Sequence, residues 1–225
     1  MFANISARYD LLNHLLSGNM DKRWRRKVAQ QLQGINVEDG LILDVACGTG
    51  DLALALFDAT HARIIGTDFC RPMLEIASRK ATRLGCAMPF VEGDALHLPF
   101  SDGSFDGVTI AFGLRNLASV EEGLKELLRV LKPGGKTAVL DFSKPNVPGL
   151  RGLFQFYFAK VLPLLGGVVS GSRSAYEYLP DSVSRFPDQE QLATLMRNAG
   201  FENVHYLNLT GGIAAVHSGT KSAQS

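Results

Sequence analysis

Apolar and polar positions follow a regular alternation along most of this chain. Residues 1–35 place Ala7, Leu11, Leu12, Leu15 and Leu16 at helical spacing. Ser17-Gly18-Asn19 interrupts that stripe, and Trp24, Val28 and Leu32 resume it. Short apolar runs and amphipathic stretches then take turns. Leu41–Ala46, Arg63–Asp68, Pro89–Glu92, Phe105–Phe112 and Lys136–Phe142 read as strands. Leu52–Ala59, Met73–Leu84 and Val120–Leu131 read as the helices between them. Alternating strand and helix predicts βαβ units, hence a parallel sheet with helices on both faces.

The rhythm stops after Ser143. Residues 144–187 carry aromatics, glycines and prolines without a clear strand, and read as an inserted helical cap. Gln189–Ala199 reads as a helix ended by Gly200. Val204–Leu209 and Ile213–Ser218 flank Gly211-Gly212, a hairpin signal. The expected organisation is one domain: a helical N-terminal lid over 1–35, a cofactor-binding core over 36–143, a helical cap and acceptor region over 144–187, and a C-terminal helix and hairpin over 188–220.

Composition narrows the function classes. A net charge of +1 leaves no electrostatic footprint for nucleic acid. The basic run Lys22-Arg23-Trp24-Arg25-Arg26-Lys27 is either a solvated helix face or a contact for anionic lipid or an acidic substrate group. Three cysteines without metal-like spacing suggest a reduced, cytoplasmic protein and no metal. Leu150–Val169 is the most apolar region, but Gln155, Lys160 and Pro163 interrupt it too often for a spanning helix. An amphipathic stripe of Phe154, Tyr157, Phe158, Val161 and Leu162 fits a peripheral membrane contact or a buried cap helix equally well.

The chemistry concentrates in Leu-Ile-Leu-Asp-Val-Ala-Cys-Gly-Thr-Gly-Asp, residues 41–51. A buried strand ends in the glycine turn Gly48-Thr49-Gly50, and a helix begins. Glycines let a ligand approach the backbone, and a helix N-terminus offers unpaired N–H groups. Asp68 ends the second strand twenty residues beyond Gly48, where an acid can accept both hydroxyls of a ribose. NAD and S-adenosylmethionine both satisfy this much. Asp51 at the helix start disfavours a pyrophosphate and tolerates a sulfonium. Gly93-Asp94-Ala95 follows the third strand, where Asp94 can accept from an adenine amino group and the Ala95 amide can donate to a ring nitrogen. Leu131-Lys132-Pro133-Gly134-Gly135 reads as the turn joining a helix to a strand.

These segments resemble the class I S-adenosylmethionine-dependent methyltransferases, with a Rossmann-like, mostly parallel seven-stranded sheet and a C-terminal antiparallel hairpin. More narrowly, the chain resembles the menaquinone/ubiquinone biosynthesis C-methyltransferases. The matching segments are the opening Met1-Phe2…Ile5…Tyr9-Asp10…Asn13…Leu16-Ser17…Trp24-Arg25, Phe112-Gly113-Leu114-Arg115-Asn116, Tyr176…Tyr178-Leu179-Pro180…Ser182 with Phe186-Pro187, and Gly211-Gly212-Ile213…His217. The resemblance implies S-adenosylmethionine contacts at Thr49, Asp68, Asp94 and Ala95, beside the turn glycines Gly48 and Gly50. Ala111 stands where some members have a cofactor-contacting serine, so that contact is not carried over.

The implied reaction is methyl transfer to a ring carbon of a prenylated quinol. Demethylmenaquinol is the leading acceptor, and the methoxybenzoquinol of ubiquinone biosynthesis is the alternative. A non-catalytic S-adenosylmethionine-binding component of a quinone-synthesis complex is a third reading. Good orientation of the two reactants alone is worth ~7–11 kcal/mol. Arg115 and Asn116 are the catalytic candidates: Arg115 as a fixed cation for a phenolate, Asn116 to orient it, or the pair as mere loop supports. Tyr9 in the lid is the third, as an acceptor contact or a core aromatic. His97, His217 and Asp141 are lesser candidates, and Tyr176, Tyr178 and Phe186 either line the ring site or pack the cap. Whether the chain forms a homo-oligomer is left open.

Overall fold

The computed structural model describes residues 19–35, 39–145, 147, 149, 152 and 181–223. Tyr9, Tyr176, Tyr178, the stripe from 154 to 162, the first half of the expected lid and most of the expected cap lie outside the described residues.

The first described element is helix α1 (Met20–Gln31). Asn19 starts it in the left-handed conformation, at φ 61°, just where the Ser-Gly-Asn break falls in the sequence. Trp24, Val28 and Leu32 are buried, as their spacing predicts. Strand β1 (Leu41–Val45) leads into α2 (Asp51–Thr60), β2 (Arg63–Asp68) into α3 (Arg71–Arg83), and β3 (Phe90–Glu92) into a loop. Pro72 lies in the first turn of α3, where its missing N–H costs nothing. Strand β4 (Phe105–Ala111) is followed by a single 3₁₀ turn, Leu114–Asn116, and α4 (Val120–Val130). The Ser119 side chain accepts from the Glu122 amide and caps α4. Strand β5 (Leu131–Phe142), α5 (Gln189–Ala199), β6 (Glu202–Leu209) and β7 (Ala214–Thr220) complete the fold.

The seven strands form one sheet in the order β3-β2-β1-β4-β5-β7-β6. All pairings from β3 to β5 are parallel, and β7 runs antiparallel to both β5 and β6. Two cores lie on opposite faces. Trp24, Val28 and Leu32 of α1 and Leu52 and Leu56 of α2 cover one face. Leu124 and Leu127 of α4 and Leu192 and Met196 of α5 cover the other. The turn expected over Leu131–Gly135 is an irregular start to the strand: β5 begins at Leu131, directly after α4, and Gly134 adopts φ 74°. Leu131 is fully buried and pairs with Phe105, and a bulge between Phe105 and Gly107 absorbs the Pro-Gly-Gly segment before regular pairing resumes at Lys136.

Strand order reverses direction between β1 and β4. In open α/β sheets the ligand crevice lies outside the carboxyl ends of the strands at that switch. The residues following β1, β2, β3 and β4 are therefore the ones to inspect.

Candidate active site

The turn after β1 has an unusual backbone. Ala46 at φ 50°, Gly48 at φ 55° and Gly50 at φ 83° all adopt left-handed conformations. The two glycines are needed for different reasons. A Cβ on Gly50 would lie 2.9 Å from the Ala77 Cβ, so this glycine lets α2 pack against α3. A Cβ on Gly48 would meet only the Met73 sulfur at 3.7 Å, so here the conformation demands glycine and the space beside it stays open. The Gly50 amide donates to the Cys47 carbonyl at 2.9 Å, and the Cys47 amide to the Thr67 carbonyl at 3.0 Å, joining the turn to β2. Thr49 is buried within it.

Asp68 holds this turn directly. Its Oδ2 accepts from the Gly48 amide and its Oδ1 from the Cys70 amide, each at 2.8 Å. Burial pushes the carboxyl up, and the backbone donors pull it back. The Phe69 amide is a third backbone donor to the same carboxylate. The Gly93 amide donates to the Asp68 carbonyl at 3.1 Å, which brings the end of β3 alongside. Asp94 follows with its carboxylate largely exposed and its Oδ1 accepting from the Leu96 amide at 2.9 Å. Ala95 is buried next to it. Gly48, Thr49, Gly50, Asp68, Asp94 and Ala95 thus lie on adjoining strand ends, as the sequence predicts.

One sequence argument needs correction. Asp51 does not present a bare charge at the helix start. Lys80 of α3 donates to it at 2.7 Å, and Arg25 of α1 lies 3.4 Å away. The electrostatic case against a pyrophosphate at that position is correspondingly weaker.

The opposite wall is the loop after β4. Phe112 adopts φ 57°, costly for a side chain of its size. Its amide donates to the Leu140 carbonyl at 2.7 Å. Its own carbonyl accepts from Arg115 Nη1 at 2.7 Å and from Asn116 Nδ2 at 3.3 Å. A Cβ on Gly113 would fall 2.6 Å from the Ala46 Cβ, so the ends of β1 and β4 abut. Arg115 is buried. Its Nη1 also donates to Asp141 Oδ1 at 2.7 Å, and its backbone amide to Asp141 Oδ2 at 3.3 Å. The guanidinium carbon sits 5.8 Å from the Phe112 ring centroid and 5.2 Å from that of Phe142. Trp24 packs against both rings and donates from Nε1 to Thr210 Oγ1 at 3.0 Å. Here Arg115 is a paired cation that fixes the Phe112 loop, and Asp141 is its counter-ion.

Of the two candidate histidines, His97 lies beside Asp94, 3.8 Å from its carboxylate, and His217 lies within the sheet. His97 is largely exposed on a loop. His217 is buried in β7, paired with Val139 and Tyr206 in the strand register, with Nε2 2.8 Å from the Gln189 carbonyl. Burial holds its pKa down, so the ring is neutral and Nε2–H donates to that carbonyl. Phe186 is part of the core beneath α5 rather than a wall of the crevice. Among the described residues, no cluster of His, Cys, Asp or Glu could hold a metal ion.

Comparison with known proteins bears on this geometry. Residues 1–221 match the model of the ubiE/COQ5 methyltransferase family. The chain belongs to that family. It is 50% identical over 222 residues to the demethylmenaquinone methyltransferase of Thermus thermophilus, covering 98% of this chain and 100% of that protein. It is 46% identical over 229 residues to a ubiquinone/menaquinone biosynthesis C-methyltransferase of Geotalea uraniireducens, covering 98% and 94%. Among solved structures, a SAM-dependent methyltransferase of Thermotoga maritima shares the fold, with a TM-score of 0.66 at 22% identity, covering 99% of this chain and all of that one. The β3-β2-β1-β4-β5-β7-β6 sheet is thus that of a Rossmann-like S-adenosylmethionine-dependent methyltransferase.

Within this ubiE/COQ5 methyltransferase, two residues near these strand ends escaped the sequence reading. Asp44 is fully buried in β1 and accepts from Thr109 Oγ1 at 2.9 Å, while its Oδ2 has no partner among the described residues. Burial pushes its carboxyl up to about 7. The signal for it was a lone acid inside an apolar strand. Phe69 directly follows Asp68 and is 67% exposed, an unusual position for a phenylalanine.

Proposed function

We propose that this enzyme transfers a methyl group from S-adenosylmethionine to a ring carbon of demethylmenaquinol. The carrying observation is that a buried aspartate-clamped glycine turn and the ordered Phe112–Asn116 loop abut, through Ala46 and Gly113, at the topological switch of the sheet. The names of the relatives in Thermus thermophilus and Deinococcus radiodurans, the latter 48% identical over 222 residues, support the acceptor.

The residues present fit the cofactor. Gly48 leaves backbone space, Asp68 presents a carboxylate for the ribose hydroxyls, and Asp94 is open to an adenine amino group. Phe69 offers its exposed ring to the face of the base. Asp44, beneath the first turn of α2, has its carboxyl raised to about 7, and a cationic ligand nearby would favour its ionised form. When bound, S-adenosylmethionine supplies an electrophilic methyl group on a good leaving group. The chain's own tasks are to orient the quinol ring, favour ionisation of its hydroxyl and exclude water. Arg115 and Asn116 hold the Phe112 loop against which the ring lies, with the Arg115 charge balanced by Asp141. Tyr9 is assigned as a further acceptor contact, on the family resemblance of its segment.

The test is a label-transfer assay with reduced demethylmenaquinone and the methoxybenzoquinol side by side. Label in the menaquinone product is expected. The second acceptor is a real competitor, because the Geotalea uraniireducens relative is named for both pathways. Label in neither product would remove the proposal.

A further inference from the structure

Helix α1 has two unlike faces. Trp24, Val28, Ala29 and Leu32 are buried against the sheet. Five cations, Lys22, Arg23, Arg25, Arg26 and Lys27, fall within six positions of the same helix, in a chain whose net charge is only +1. Arg25 is consumed internally by Asp21 and Asp51. The other four are exposed. Lys22, Arg23 and Arg26 have no acidic partner among the described residues, and Lys27 reaches only the neutral Gln30 side chain, at 3.0 Å. Lys22, Arg23 and Arg26, with Asn19 and Met20, line a shallow groove of about 490 Å³. Four neighbouring like charges repel one another and do nothing for the core below. They make sense if something anionic covers them.

We propose that this outer face of α1 docks the enzyme on an anionic phospholipid bilayer. The inference rests on the lipid-tailed acceptor proposed above. Such an acceptor resides in a membrane, and among the described residues no helix is long and apolar enough to cross one. The geometry joins the two requirements. From the same helix, Trp24 packs on Phe112 and Phe142, the residues that flank Arg115. Seating the cationic face on phosphate headgroups therefore holds the acceptor side of the crevice at a fixed orientation to the bilayer from which the quinol must come. Each basic side chain near an anionic leaflet raises partitioning about fivefold, so four together are worth a factor of several hundred, roughly.

The experiment is vesicle flotation of the full-length protein. Vesicles of roughly one-third phosphatidylglycerol in phosphatidylcholine are compared with pure phosphatidylcholine. The wild type is expected to float with the anionic vesicles and to be released by about 0.5 M salt, where screening is severe. The variant carrying Lys22→Gln, Arg23→Gln, Arg26→Gln and Lys27→Gln should lose at least tenfold in partitioning. It should keep wild-type turnover on a short-tailed soluble quinol and lose turnover on long-tailed quinol embedded in the anionic vesicles. Wild-type flotation no stronger on anionic than on neutral vesicles, or undiminished flotation of the variant, would overturn the proposal. Flotation as expected with no label in any quinol would instead strike the acceptor reading and leave the surface standing.

Discussion

Asp141→Asn tests whether the Arg115 charge is as deeply embedded as the structure shows. Both side chains are buried, at 7% and 1% exposure, and their charged atoms lie 2.7 Å apart. At an effective dielectric of ~20 that separation gives an attraction of about 6 kcal/mol, most of it offset by the desolvation of two ions. Burial raises the Asp141 carboxyl, while Arg115 and the Phe142 amide draw it back. Asparagine keeps the shape and removes the negative charge, which leaves Arg115 buried and uncompensated between two rings. The expected loss is about 3–5 kcal/mol of unfolding free energy near neutral pH. Replacing both partners, Arg115→Met with Asp141→Leu, removes the stranded charge and should recover much of it. Urea unfolding of the wild type, Arg115→Met, Asp141→Leu and the double variant gives the coupling energy, expected at about 2–3 kcal/mol. A coupling below about 0.5 kcal/mol would mean that the pair is solvated, and the view of Arg115 as the anchor of the Phe112 loop would fail.

Asp44 makes stability depend on pH in the opposite sense to most carboxylates. Its carboxyl titrates near 7 when folded and near 3.9 when unfolded. Its contribution is complete below about pH 4 and is lost as pH rises through about 7, for a total of about 4 kcal/mol; Asp44→Asn should flatten that slope in unfolding midpoints, leaving only what Asp68 and Asp141 add in the same sense, and an unchanged slope would refute the assignment. Because a cationic ligand favours the ionised carboxylate, calorimetric affinity for S-adenosylmethionine should rise with pH up to about 7 in the wild type and stay flat in Asp44→Asn. Asp68→Ala removes two charge-assisted hydrogen bonds and should weaken cofactor binding by more than tenfold; Asp68→Asn should be nearly as harmful, since its NH₂ must face the Gly48 or the Cys70 amide. Gly50→Ala meets Ala77 as well as a positive φ and should cost at least ~2 kcal/mol, whereas Gly48→Ala faces the conformational term alone and should cost about 1 kcal/mol, a ranking that thermal melts can reverse.

The parts legible in the sequence are those governed by local pattern. Trp24, Val28 and Leu32 mark the buried face of α1 because a helix repeats every 3.6 residues. The βα alternation gives the parallel strands, and the Gly48-to-Asp68 spacing gives the facing strand ends. Pro133-Gly134-Gly135 keeps its turn character inside the strand: residues 132–135 bulge out opposite Asp106, with Gly134 at φ 74°, between the paired Leu131 and Lys136. Contacts across sequence were invisible. Arg115 and Asp141 are 26 positions apart, and Asp51 is neutralised by Lys80 from 29 positions away. Charges that look free in a sequence are often spent on partners that only the fold supplies.

Besides the cofactor role proposed for it, the carboxylate of Asp68 fastens the Gly48 turn to Cys70. A descendant of this enzyme that had ceased to methylate anything would still need it in order to keep that turn. Finding the aspartate in a relative is therefore poor evidence that the relative is active. Diagnosis has to come from positions that the scaffold does not require, such as the exposed Phe69.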